Sequence, residues 1–120
     1  MEKRYVFICY SKCSTCQKAK KYLVEHNIVF EERDIKNDNP TKEELRLWYK
    51  LSGIPLKKFF NTSGLVYKAL KLKEKLPAMS EEEMLDVLSS DGMLVKRPLL
   101  ISEEKVLVGF SVTDYEKLNN

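Results

Sequence analysis

The feature that most limits what this chain can fold into is the change of hydrophobic pattern on either side of Cys13. Residues 5–10 form a compact apolar run whose length is typical of a buried strand. Residues 13–26 instead carry a helically spaced stripe of side chains, namely Ala19, Tyr22, Leu23 and His26. Residues 28–35 have the pattern of a second strand with a charged, exposed end. The sequence therefore predicts a βαβ unit with parallel strands and a right-handed crossover.

Two capping boxes predict that helices follow this unit. Thr41 and Ser80 each stand three residues before a glutamate, which is the pattern of a helix start. Between these helices, residues 56–77 predict short helical pieces whose lysines face water. We therefore expect a helical insert at about residues 40–92.

The last part of the chain predicts a hairpin and a final helix. Residues 99–101 and 105–108 have strand composition and are separated by a hairpin-length connection, and residues 112–118 predict a short helix. The fold class is therefore α/β, in the order β-α-β, helical insert, β-β-α. No linker or repeat is visible, so residues 1–120 are expected to form one domain.

Composition narrows the classes of partner. A formal net charge of +3 is too weak, without clustering, to indicate direct nucleic-acid binding. No apolar run approaches the ~20 residues of a membrane helix, so no membrane partner is expected. The apolar run near the N-terminus is interrupted at residues 11–13 and does not resemble a signal peptide, which predicts a cytoplasmic protein. In a reducing compartment, the three cysteines should be reactive, metal-binding or simply buried.

The most specific chemical signal is the pair Cys13 and Cys16, which are separated by two residues at the junction of the first strand and the first helix. A thiolate is the nucleophilic form of cysteine, and a helix N-terminus lowers the pKa of a thiol there. Lys12 adds a neighbouring positive charge. We predict that Cys13 is an exposed nucleophile and that Cys16, turned inward, resolves the mixed disulfide formed on it.

Other interpretations of the cysteines stay open at this stage. A structural zinc site would need further ligands, for which the chain offers only Cys9 and His26. Taken with Cys9, the spacing C-x3-C-x2-C is that of the cluster-binding motif in radical S-adenosylmethionine enzymes, although those enzymes are much longer chains. Three inert cysteines are the simplest alternative. Cys9 itself lies within an apolar strand and is expected to be a small core residue.

A second candidate site element is the pair Arg97 and Pro98, which precedes the third strand. The first residue of a strand is one of the few places where a sheet tolerates proline. Arg97 would offer a planar group of donors to an oxyanion or a carboxylate if the chain brought it to the cysteines. A solvent-exposed arginine at the start of a strand is the alternative.

Three segments together resemble the arsenate reductase (ArsC)/Spx family. They are residues 10–19, residues 59–63, and residues 96–101 followed by Val108-Gly109-Phe110. The resemblance covers essentially the whole chain. It implies a thioredoxin-like α/β domain with a helical insert, a cis Arg97–Pro98 bond, and Cys13 as the nucleophile. With the neighbouring charge of Lys12, we expect a substrate site that includes Lys12, Arg97 and Pro98, and no bound cofactor or metal.

The chain departs from the arsenate-reducing members of the family at two positions. In those relatives, three arginines bind the oxyanion. The resemblance extends to only one of these arginines, which matches Arg97. The other two would fall near Ser63 and near residues 108–109, where this chain has no arginine. Because charge-assisted, bidentate contacts to an oxyanion are strong, we expect poor arsenate reduction.

The sequence therefore supports two functional hypotheses. The first is a thiol–disulfide reductase of the ArsC-like kind that takes electrons from thioredoxin or from a small thiol such as glutathione. The second is a redox-sensing regulator similar to Spx, in which Cys13 and Cys16 form a switch and the partner is RNA polymerase.

Overall fold

The computed structural model of the chain describes residues 4–119 and has a four-stranded sheet at its centre. The strands are β1 (Tyr5–Cys9), β2 (Phe30–Asp34), β3 (Leu99–Ile101) and β4 (Val106–Val108), in the spatial order β2-β1-β3-β4. β1 pairs in parallel with β2, while β1 with β3 and β3 with β4 are antiparallel. This arrangement confirms the predicted α/β class, the parallel βαβ unit and the exposed edge position of the second strand.

Helices lie on both sides of this sheet. The longer ones are α1 (Ser14–Glu25), α2 (Lys42–Ser52) and α5 (Glu81–Ser90). The shorter ones are α3 (Leu65–Ala69), α4 (Leu72–Lys75) and α6 (Val112–Glu116). Residues 4–119 also contain four short 3-10 helices, at Leu56–Phe59, Leu76–Ala78, Gly92–Leu94 and Lys117–Asn119. None of the helices within residues 4–119 is both long enough and apolar enough to cross a membrane.

Alternating side chains divide the core into two layers. Tyr5, Phe7 and Cys9 of β1 face α1 and α6, where they join Leu23 and Tyr115. Ile8, together with Leu99 and Ile101 of β3, faces the opposite side and packs against the helices between β2 and β3. The two-residue period of a strand accounts for this division.

The predicted capping boxes are both present. Thr41 Oγ1 accepts from the N–H of Glu44 (3.1 Å), and the Glu44 side chain accepts from the N–H of Thr41 (2.9 Å). Ser80 and Glu83 make the same reciprocal pair at the start of α5. Glu44 also accepts two hydrogen bonds from Arg33 of β2, which attaches the insert to the edge of the sheet.

The two ends of the segment that joins α1 to the second strand differ in detail from what the residue pattern specifies. The second strand begins at Phe30 instead of residue 28, because the N–H of Ile28 still bonds to the carbonyl of Leu23 and closes the end of α1. His26, the last residue of the helically spaced stripe, is exposed at the end of α1. Its ring stacks on Tyr22 at 3.8 Å and bonds to the Tyr22 carbonyl, so it caps the end of the helix.

Candidate active site

Cys13 is held at the N-terminus of α1 by a tight turn that follows β1. Its N–H donates to the carbonyl of Tyr10 (3.0 Å), and its carbonyl accepts from the N–H of Gln17 (3.1 Å). The Gln17 side chain closes the turn by donating to the carbonyl of Ser11 (2.9 Å). Cys13 is the N-cap residue of α1, and the first turn of the helix carries no acidic residue. The positive end of the helix dipole is therefore next to Cys13 and is not neutralised by a carboxylate of that turn.

Cys16 lies one turn further along α1 and belongs to the buried cluster that contains Phe7 and Leu23. Its side chain is buried, whereas Cys13 is partly exposed, and both thiols are free. The N–H of Tyr10 donates to Cys16 Sγ at 3.4 Å. An exposed first cysteine and an inward second cysteine are the orientations that the sequence predicted.

The two thiols have pKa values shifted in opposite directions. Burial opposes ionisation of Cys13, but hydrogen bonds from the N–H and thiol of Cys16, together with a hydrogen bond and the charge from Arg97, hold the pKa of Cys13 below its usual value. Burial raises the pKa of Cys16 to about 12, although the N–H of Tyr10 partly offsets the effect. Cys13 is therefore the thiol that ionises first.

Arg97 reaches the site from the start of β3, through a cis peptide bond to Pro98. Its guanidinium lies over the ring of Tyr10, with 5.1 Å between the guanidinium carbon and the ring centroid. Its Nε and Nη1 atoms are buried and have no hydrogen-bond partner within residues 4–119. Because a buried donor without an acceptor costs about 1–3 kcal/mol, these atoms favour binding of an acceptor atom.

A cavity of about 510 Å³ opens beside Cys13. Four segments that are distant in sequence supply its walls, and the polar and charged side chains among them are Thr15, Asn61, Ser63, Lys96, Arg97 and Ser111. Among residues 4–119, the lining includes two cationic side chains and no carboxylate. The charge of the cavity is therefore suited to a substrate that carries a negative group next to its reacting sulfur or oxygen.

The two positions at which the resemblance would place further arginines are both in this cavity. Ser63 lies on one wall, and Val108 and Gly109 lie on another. Gly109 has a positive φ of 79°, and a Cβ there would approach the Lys96 side chain to 3.1 Å. A side chain at Gly109 would therefore be strained, and Arg97 is the single guanidinium in the lining.

The remaining predicted site residues, Lys12 and Pro98, do not line the cavity beside Cys13. Lys12 is exposed and is not part of the cavity lining, and Pro98 is buried behind Arg97. The sequence does not single out Thr15, Asn61 and Ser111, because single polar residues in separate segments have no pattern that points to a shared site. Cys9 is buried in β1, where burial and the nearby Glu32 carboxylate raise the pKa of its thiol.

These features define a class of protein, one with a C-x-x-C pair at the first helix of an α/β fold built on a mixed four-stranded sheet. Residues 9–118 match the sequence profile of the ArsC family, and the chain belongs to that family. Two solved structures are similar throughout. One, a putative ArsC family related protein from Bacteroides fragilis, has a TM-score of 0.94 and 59% identity, covering 95% of this chain and 96% of that one. The other, described as a possible arsenate reductase from Streptococcus mutans UA159, has a TM-score of 0.88 and 46% identity, covering 97% and 98%.

Sequence relatives include proteins described as regulators. An uncharacterized Bacillus subtilis protein, YusI, is 55% identical over 111 residues, which is 92% of this chain and 94% of YusI. The regulatory protein MgsR of Bacillus subtilis is 30% identical over 119 residues, which is 99% of this chain and 93% of MgsR. The global transcriptional regulator Spx of Staphylococcus saprophyticus is 26% identical over 99 residues, covering 82% of this chain and 74% of Spx. The chain is thus similar both to a protein described as a possible arsenate reductase and to proteins described as regulators.

Proposed function

We propose that the protein is a thiol–disulfide oxidoreductase in which Cys13 is the nucleophile and Cys16 the resolving cysteine. The observation that carries the proposal is the pairing of two neighbouring thiols with pKa values shifted in opposite directions, one thiol partly exposed at a helix N-terminus and the other buried. A low-pKa, accessible thiol followed by a second thiol is the arrangement that disulfide exchange requires.

The proposed reaction proceeds in two exchange steps. The Cys13 thiolate attacks one sulfur of the substrate disulfide, forming a mixed disulfide and releasing the other substrate sulfur as a thiolate. Cys16 then loses its proton and attacks Cys13 Sγ, which releases the second substrate thiolate and leaves a Cys13–Cys16 disulfide. The substrate gains two electrons, and an external thiol such as thioredoxin or glutathione returns the protein to its dithiol form.

The first step also prepares the second. Interaction with Cys13 is one of the causes that raise the pKa of Cys16. Once Cys13 is bound in a mixed disulfide, its negative charge is gone and Cys16 loses its proton more easily. The resolving thiol is therefore activated only when there is a bond for it to break.

Substrate binding is proposed to use the cationic wall of the cavity. The unpartnered Nε and Nη1 atoms of Arg97 would donate to a carboxylate or an oxyanion of the substrate. Lys12 is proposed to contribute as a nearby positive charge, and Pro98 by fixing the backbone that carries Arg97. No bound cofactor is needed, and the reaction requires a reducing compartment such as the cytoplasm.

A coupled assay tests this function directly. The protein is incubated with NADPH, thioredoxin reductase and thioredoxin, and in parallel with NADPH, glutathione reductase and glutathione, against small disulfides and arsenate. We expect NADPH oxidation that depends on a disulfide substrate and is lost in Cys13→Ser. Cys9→Ser is the matched control, because it removes a buried thiol outside the proposed pair, and it should retain activity. No disulfide-dependent turnover with either reductant would contradict the proposal.

A second candidate function is supported by the relatives described as MgsR and Spx. In that case the Cys13–Cys16 disulfide would be a redox switch and the protein would bind RNA polymerase. Purified polymerase and the protein, reduced or oxidised, are analysed by size-exclusion chromatography. Co-elution that changes with the oxidation state of the protein, without disulfide turnover, would favour the regulator over the reductase.

A further inference from the structure

A second cavity, of about 490 Å³, lies within the helical insert and is separate from the active-site cavity. Its floor is apolar and includes Leu76, Met79 and Met84. Leu76 is buried, while the two methionines are only partly covered by the rest of the protein. Its volume falls in the range of about 300–1,000 Å³ that is usual for ligand pockets. Flexible methionine side chains can adapt to the shape of an incoming apolar group.

Positive charge surrounds this apolar floor. Lys57, Lys58 and Lys73 line the cavity, and no carboxylate of the described part of the chain does. None of these three lysines is in an ion pair within residues 4–119. Residues 57–75 contain six lysines and one acidic residue, a local excess of five, against a formal net charge of +3 for the whole chain. This local positive charge favours a negatively charged ligand with an apolar group.

The cavity is joined to the active site by the loop that precedes α3. Thr62 lines the second cavity, while its neighbours Asn61 and Ser63 line the cavity beside Cys13. A chain lying in the second cavity can therefore continue across this loop towards Cys13. A small ligand confined to one cavity would make no use of this continuity.

We propose that the second cavity is a docking surface for an acidic peptide segment of a partner protein, with one or two apolar side chains inserted between Leu76, Met79 and Met84. Carboxylates on either side of those apolar side chains pair with Lys57, Lys58 and Lys73. Nucleic acid is a poorer fit, because Tyr67, the aromatic residue of the lining, is buried and offers no ring face for base stacking. The docking itself needs no thiol chemistry, while the use of this surface to present a partner's disulfide to Cys13 rests on the proposed function.

Methionine methyl groups provide the reporters for the first test. The Cys13→Ser protein is labelled with ¹³C-methyl methionine and titrated with the peptide Asp-Glu-Asp-Leu-Phe-Asp-Glu-Asp, which contains no sulfur. We expect the methyl signals of Met79 and Met84 to shift and that of Met93, which lies outside the cavity, to stay unchanged. The same peptide with every carboxylate replaced by an amide should bind at least about tenfold more weakly.

A pair of charge-matched variants provides the second test. We expect Lys57→Gln/Lys58→Gln/Lys73→Gln to weaken peptide binding about tenfold and to reduce its dependence on salt. Lys18→Gln/Lys36→Gln/Lys117→Gln removes the same charge from exposed positions outside the cavity and should change binding less than about twofold.

Three results would overturn the docking proposal, whatever the outcome of the disulfide assay. The first is equal binding of the acidic and the amidated peptide. The second is equal weakening by both lysine variants. The third is displacement of the peptide by laurate at a lower concentration than that of the peptide itself, which would assign the cavity to a small anionic amphiphile.

Discussion

Arg97→Met should make Cys13 a less reactive thiol near neutral pH. Arg97 lowers the pKa of Cys13 by hydrogen bonding and by its charge, and methionine removes both while keeping an apolar side chain over Tyr10. The fold should tolerate the change. Two of the guanidinium nitrogens have no partner within residues 4–119, so their removal leaves no acceptor of those residues unpaired.

The expected size of the effect follows from the interaction that is lost. A hydrogen bond contributes about 0.5–1.5 kcal/mol net, and the partial exposure of Cys13 screens the charge of Arg97. At pH values below the pKa of Cys13, this loss lowers the fraction of thiolate about two- to tenfold. Because Arg97 stabilises the thiolate, its removal moves the ionisation of Cys13 to higher pH.

The assay is the rate of alkylation of Cys13 by iodoacetamide between pH 5 and pH 9, followed by mass spectrometry of peptides. Lys96→Met is the matched control, since Lys96 lines the same cavity and is not among the groups that lower the pKa of Cys13. We expect the rate profile of Arg97→Met to move to higher pH and that of Lys96→Met to stay close to the wild type. Identical profiles for Arg97→Met and the wild type, or an equal shift in Lys96→Met, would refute the role of Arg97.

Three further outcomes are expected. The hydroxyl of Tyr115 is buried without a partner within residues 4–119, so Tyr115→Phe should raise the free energy of unfolding in urea by about 1 kcal/mol. A lower free energy of unfolding would show that the hydroxyl is hydrogen-bonded. A Cβ on Gly92 would lie 1.7 Å from the carbonyl oxygen of Ile35, so Gly92→Ala should lower the free energy of unfolding by at least about 2 kcal/mol. An unchanged unfolding midpoint in urea would contradict this packing. Arsenate turnover with thioredoxin or glutathione should not saturate at micromolar arsenate, because Arg97 supplies the one guanidinium among the described residues of the cavity lining. Saturation at micromolar arsenate would contradict the importance of the missing arginines.

Much of the fold could be predicted from local patterns. The βαβ unit follows from the change of hydrophobic period at Cys13, and the starts of α2 and α5 follow from the capping boxes at Thr41 and Ser80. The start of β2 could not be placed, because the hydrogen bond from Ile28 to Leu23 belongs to the end of α1 and has no signal in the residue types. The order of the four strands could not be predicted from local patterns either, because it depends on how the whole sheet assembles.

Some residues of the candidate site could likewise be predicted from local sequence patterns, and others could not. Cys13 and Cys16 could be predicted because two cysteines at one helix N-terminus are a local pattern with a known chemical consequence. Arg97 could be placed there only through the resemblance to a family, since it is far from the cysteines in sequence. Asn61 and Ser111 enter the cavity from separate loops, and their proximity depends on the packing of the insert and of α6 against the sheet.

The central claim is the division of labour between Cys13 and Cys16, and intact-mass analysis after reaction with oxidised glutathione tests it most directly. For the wild type, we predict a Cys13–Cys16 disulfide and release of reduced glutathione. Cys16→Ser should retain one glutathione, mapped by peptide analysis to Cys13, and Cys13→Ser should react far more slowly. Glutathione bound to Cys16 or Cys9 in Cys13→Ser at the wild-type rate would contradict the account, as would a wild-type protein that keeps glutathione on Cys13.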